Sequence, residues 1–146
     1  NYRMSNLQAA VGVAQLERLE EFVVRKREMG RFYDTQLTNL TAVERPLSSA
    51  RYADNIYWVY GLVLNDDAQL EASEVMRRLT EEGIGTRPFF YPMHQQPVFQ
   101  KQRMFREQRY PVAEHLAKRG FYIPSGLGLG ERQMERVVAV VKRVLQ

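Results

Sequence analysis

At 146 residues, 45% hydrophobic and 26% charged, the chain is large enough for one globular domain with a real core and too short for two ordinary ones. It has no cysteine, which excludes disulfides, thiolate metal sites and cysteine nucleophiles, and no apolar run near the roughly 20 residues that span a bilayer. The net charge of +4 comes mostly from arginines, with four lysines, Lys26, Lys101, Lys118 and Lys142; the densest basic stretch, Arg25-Lys26-Arg27 with Arg31, sits beside Glu20, Glu21 and Glu28, so no nucleic-acid or membrane partner is expected. No signal-peptide pattern opens the sequence, and a cytoplasmic location is the expectation.

From Ser5 the sequence reads as helix. Ser5 and Gln8 have capping-box spacing, and Leu7, Ala10, Val11 and Ala14 recur at helical intervals. Ala9, Ala10, Gly12 and Ala14 form a small-residue face that lets another backbone approach, which suits a packed connecting helix. The period runs on through Leu19, Phe22, Met29, Tyr33 and Leu37, with Gly30 interrupting it, so one bent helix or two consecutive helices fill the span from Ser5 to about Leu40.

After a loop through Pro46 and Asp54, the run Ile56 to Leu64 reads as the strongest strand. Both of its faces are apolar, as in a strand covered on two sides, and Asn65-Asp66-Asp67 ends it with turn chemistry. A short helix follows, with Ser73 as N-cap, Val75, Met76 and Leu79 as its buried stripe and Gly83 in a left-handed C-terminal position; a strand from about Ile84 to Phe90 comes next. Val98 to Gln108 reads as a polar surface helix, and Pro111 opens another that Gly120 closes, with His115 at the surface. Phe121 to Pro124 forms a short strand, Ser125 to Gly130 a glycine-rich turn, and a last helix places Met134, Val137, Val138, Val141, Val144 and Leu145 on one stripe. The elements add up to an α/β fold, a small mixed or antiparallel sheet with packed helices, undivided by repeats or linkers.

The segment Gly85 to Pro97 is the densest in chemistry. It sets Arg87, Phe89, Phe90, Tyr91 and His94 among Pro88, Pro92 and Pro97. Proline fixes φ and removes a donor, so the segment is an edge strand running into a rigid loop that can hold side chains at fixed angles for a ligand. The competing reading is a strand end that buries Phe89 and Phe90, with Arg87 and His94 merely solvated.

Three motifs, Asn1-Tyr2-Arg3-Met4-Ser5-Asn6-Leu7-Gln8-Ala9-Ala10, Arg87-Pro88-Phe89-Phe90-Tyr91-Pro92-Met93-His94 and Tyr122-Ile123-Pro124-Ser125-Gly126-Leu127, resemble in order and spacing the C-terminal part of the DegT/DnrJ/EryC1/StrS sugar aminotransferases. The likeness runs the length of the chain, and the second motif is most similar to the GDP-perosamine synthase subgroup. The resemblance implies the C-terminal small domain of a fold-type I enzyme. Residues 1–40 would be a connecting helical segment and residues 41–146 the sheet with its helices. The family uses pyridoxal 5′-phosphate to move an amino group from glutamate to a keto-sugar nucleotide and works as a dimer, so a sugar nucleotide and a homo-oligomer are the implied partners.

By the same resemblance Asn1 reaches the cofactor phosphate of a neighbouring subunit, and Arg87, Tyr91 and His94 contact the diphosphate or hexose. The family's cofactor lysine lies in a large N-terminal domain with no counterpart here. The chain is therefore expected to look like a fragment, with no catalytic residue, no metal site, no covalently held cofactor and no activity alone. A non-enzymatic sugar-nucleotide-binding or protein-interaction module is the alternative.

Overall fold

The computed structural model describes residues 2–146, so Asn1 lies outside the described residues. The N-terminal span is two helices, α1 (Asn6–Leu16) and α2 (Leu19–Gln36), with the break at Glu17 and Arg18. Ser5 caps α1 as its spacing with Gln8 predicts: the Gln8 N–H donates to Ser5 Oγ at 3.3 Å and the Ser5 N–H to Gln8 Oε1 at 2.9 Å. Gly30 does not interrupt the helix. It lies buried inside α2 because the Tyr57 ring lies flat against it, where any Cβ would collide with that ring.

Short strands follow: β1 (Val43–Glu44), the hairpin β2 (Ser49–Ala50) and β3 (Ala53–Asp54), and β4 (Tyr60–Leu64). The strand expected from Ile56 thus begins four residues later. The cause is Tyr57, whose φ of 51° is left-handed and breaks extended geometry before Trp58. For a bulky residue that conformation costs on the order of 1 to 2 kcal/mol, so its surroundings must hold it.

Helix α3 (Ala72–Glu81) is capped by Glu71, with no side-chain bond, rather than by Ser73. Val75 and Leu79 are buried with Met76 packed beside them, and Gly83 takes the expected left-handed φ of 76°. Strand β5 shrinks to Arg87–Pro88 at the sheet edge, where proline's missing N–H does no harm. A 3₁₀ turn (Met93–Gln95) leads into α4 (Pro97–Lys101), well short of the helix expected to reach Gln108; Arg103, Phe105 and Glu107 all have positive φ, which no continuous helix allows. Helix α5 (Pro111–Arg119), strand β6 (Gly120–Ile123) and helix α6 (Glu131–Leu145) complete the chain.

The main sheet has the order β1-β4-β6-β5 with every pairing antiparallel, so the mixed alternative drops out. Alternation along β4 sends Tyr60, Leu62 and Leu64 to one face, where they meet Ile123 and Phe121 of β6 and the stripes of α2, α3 and α6. This face is the core. Gly61, Val63 and Tyr122 point to the other face, which helices do not close. Arg119 fastens the end of α5 to the end of β4 and the loop that leads to α3, since its guanidinium donates to the carbonyls of Leu64, Asn65, Ala68 and Leu70.

Candidate functional site

The uncovered face of the sheet is aromatic. The Phe89 ring lies across it, stacked on Tyr122 with centroids 4.6 Å apart, and Gly61 and Gly120 leave it room: a Cβ at Gly61 would come within 2.8 Å of Phe89 Cζ. Phe89 is therefore half-buried on this face rather than in the core, and Phe90 is exposed. Beside them a pocket of about 580 Å³ opens between β5, β6, α5 and the segment that enters β4, walled by Trp58, Phe90, Tyr91 and Tyr122 and carrying Arg87. Arg87 is exposed on the edge strand and makes no ion pair among the described residues. A guanidinium in that setting can take a bidentate anion, and the aromatic walls offer flat apolar surface to a ring.

Of the residues singled out from the sequence, Arg87 and Tyr91 come together on this pocket. His94 does not line it. It is 8% exposed, its Nε2 lies 2.9 Å from Glu114 Oε1, and its ring packs on Tyr110 at 4.8 Å. The Tyr110 N–H reaches the same oxygen at 3.0 Å and, with His94, holds the Glu114 carboxyl below the usual carboxylate range. His94 thus ties the loop after β5 to the start of α5. Asn1 falls outside the described residues. His115 is half-exposed and sits 3.5 Å from Asp66, as a surface residue would.

The pocket residue that sequence reasoning passed over is Trp58. It is 69% exposed and stands where three depressions meet: the Arg87 pocket, a second of about 400 Å³ bounded by Arg45, Asn55 and Phe89, and a third of about 310 Å³ against Leu19, Phe22, Val23 and Leu127. Behind it, Asp34 accepts from Tyr57 Oη at 2.5 Å and from Tyr60 Oη at 2.6 Å. Burial, reinforced by the Asp34 bond, pushes the Tyr57 hydroxyl up to about 12 and that of Tyr60 higher still, so both remain donors at ordinary pH. The basic stretch is partly consumed internally: Arg25 donates to the Leu129 carbonyl at 2.8 Å and Lys26 to that of Ser125.

Pyridoxal phosphate needs a lysine amine, several phosphate donors and an acid for its ring nitrogen. That set does not assemble among the described residues. Lys26 is bonded to Ser125, Lys118 pairs with Glu71 at 3.2 Å, and neither Lys101 nor Lys142 lines the aromatic pocket, whose cation is Arg87.

The fold is that of part of a sugar aminotransferase: over 98% of this chain and 37% of its own, sugar aminotransferase CalS13 from Micromonospora echinospora is similar at a TM-score of 0.80 and 28% identity. The chain belongs to the DegT/DnrJ/EryC1/StrS aminotransferase family, whose profile matches residues 1–142. Among curated relatives it is 31% identical to GDP-perosamine synthase from Vibrio cholerae, over 97% of this chain and 38% of that protein. It is 37% identical to the putative pyridoxal phosphate-dependent aminotransferase EpsN from Bacillus subtilis, over 97% of this chain and 36% of EpsN. The chain therefore spans little more than a third of the length of these relatives. Among the described residues no helix is long and apolar enough to cross a membrane.

Proposed function

We propose that these residues form the C-terminal, substrate-side part of a pyridoxal phosphate-dependent aminotransferase acting on keto-sugar nucleotides. In this reading residues 1–40 connect and residues 41–146 form the small domain. Arg87 pairs with the diphosphate, Tyr91, Phe90 and Trp58 wall in the sugar or base, and His94 braces the loop that carries Tyr91. Asn1 serves the cofactor phosphate of a second subunit. The observation that carries the reading is Arg87, exposed, free of an acidic partner among the described residues and set in an aromatic pocket.

The reaction itself needs the cofactor as its electron sink, with a lysine from outside these residues. The 146 residues alone, given pyridoxal phosphate, glutamate and a keto-sugar nucleotide, are expected to bind the nucleotide and produce no amino sugar. Steady turnover, or a borohydride-trapped adduct on one lysine in stoichiometric yield, contradicts this division of labour.

Helix α1 has no buried residue, and its Leu7, Val11, Val13 and Leu16 are exposed. Apolar surface of this kind favours association, so the chain is expected to sediment as a homodimer or larger species at micromolar concentration. A monomer there removes the oligomer from the proposal.

A further inference from the structure

The left-handed Tyr57 needs an explanation that the fold alone does not supply. Its ring is flush against Gly30, the one residue of α2 small enough to admit it, and its hydroxyl is bonded to Asp34 one turn further along the same helix. Its backbone N–H donates to Asn55 Oδ1 at 2.7 Å, while Asn55 binds the Leu47 carbonyl through its own amide. These restraints converge on Tyr57, and none of the residues that supply them lines the Arg87 pocket. Their effect falls on the next residue: with Tyr57 turned inward at positive φ, Trp58 is thrown outward to stand between the three depressions.

We propose that Asp34 and Gly30 form a latch on Tyr57 that positions Trp58 as the shared wall of the ligand pocket, making Asp34 and Tyr57 positioning residues that act through an indole neither touches the ligand to set. The proposal deepens the reading of Arg87 and its pocket as a sugar-nucleotide site, and rests on it for the ligand's identity. The chemical logic is specific. A carboxylate with two oxygens serves two phenols, but only Tyr57 carries the left-handed backbone; Tyr60 lies in regular strand β4 and takes the other oxygen as a core residue. The two tyrosines stack at 6.0 Å with an interplanar angle of 13°, so they share one environment and differ in what their backbones steer.

That difference supplies the test. Trp58 is the only tryptophan in the sequence, so 5-fluorotryptophan incorporation gives a single fluorine resonance reporting its position. Tyr57→Phe and Tyr60→Phe each remove one hydroxyl bond to the same carboxylate and keep the ring. Both are expected to lower Tm by similar amounts. Only Tyr57→Phe is expected to shift or broaden the Trp58 resonance and to weaken GDP-mannose binding, by about fivefold for one lost hydrogen bond. Asp34→Asn should behave as Tyr57→Phe does, and the conservative phenylalanine variants keep the experiment usable if Asp34→Asn does not fold.

A Trp58 resonance that stays in place in Tyr57→Phe, or moves equally in Tyr60→Phe, overturns the latch. A wild-type Trp58 resonance indifferent to GDP-mannose overturns the ligand half of the proposal together with the site reading beneath it, and it is recognisable because it needs no variant.

Discussion

The two faces of the β4–β6 pair are built from alternate residues of the same nine positions, yet they follow different rules. On one face Tyr60, Leu62, Leu64, Phe121 and Ile123 are shut under α2, α3 and α6. On the other, Gly61, Val63 and Tyr122 are only half-covered, by an aromatic ring from the edge segment, and an arginine stands unpaired beside them among the described residues. A fold under selection for stability alone has no use for the second arrangement. It leaves glycine where a strand gains from side chains, and it leaves flat aromatic surface in water. The first face makes the domain, and the second is the one we propose takes a ligand.

If that division is real, substitutions at neighbouring residues should separate cleanly. Phe121→Ala empties a fully buried position and should cost about 4 kcal/mol, measured by denaturant unfolding, with the folded remainder still able to bind. Tyr122→Ala, one residue on, loses mainly its stack on Phe89 and should cost about 1 kcal/mol, while binding suffers more. Equal stability losses at the two positions would break the comparison.

A second, smaller effect reads the covered face by pH. Tyr33 and Tyr57 have hydroxyls pushed up to about 12, and Tyr60 higher, whereas an unfolded chain ionises its tyrosines near 10. Their contribution to stability is therefore complete below about pH 10 and is lost as pH rises through about 12, because the unfolded state gives up protons first. Thermal unfolding should show a plateau and then an alkaline decline. Tyr60→Phe should make that decline shallower, and an unchanged slope would mean that the buried hydroxyls do not couple to folding.

Much of the covered face was legible from the sequence. The stripes of α3 and α6, the Ser5 cap, the left-handed Gly83 and the edge position of the strand at Pro88, though not its expected length, follow from local rules of period, capping and proline geometry. What escaped depends on partners distant in sequence. The run Ile56 to Leu64 reads as one strand because hydrophobic periodicity carries no information about φ, and Tyr57 is turned by Asp34 and Gly30 from more than twenty residues away. Trp58 was hidden by the same run; its one signal was being a lone tryptophan next to the end of an apolar stretch. Arg119 binds carbonyl oxygens, which every residue carries, so no sequence pattern could mark it. The place of Arg87 beside aromatics at the sheet edge was legible for the opposite reason, since its neighbours there are its own neighbours in a short proline-bounded segment.

The central claim is that Arg87 serves a ligand and not the fold. Calorimetric titration of GDP-mannose into the wild-type chain and Arg87→Ala, with Tm taken on the same samples, tests it directly. The account predicts a Tm unchanged within experimental scatter and an affinity reduced about thirtyfold, corresponding to about 2 kcal/mol for a charge-assisted pair. An Arg87→Ala chain that melts several degrees lower and binds GDP-mannose as the wild type does would contradict it, and would make the aromatic pocket a piece of structure.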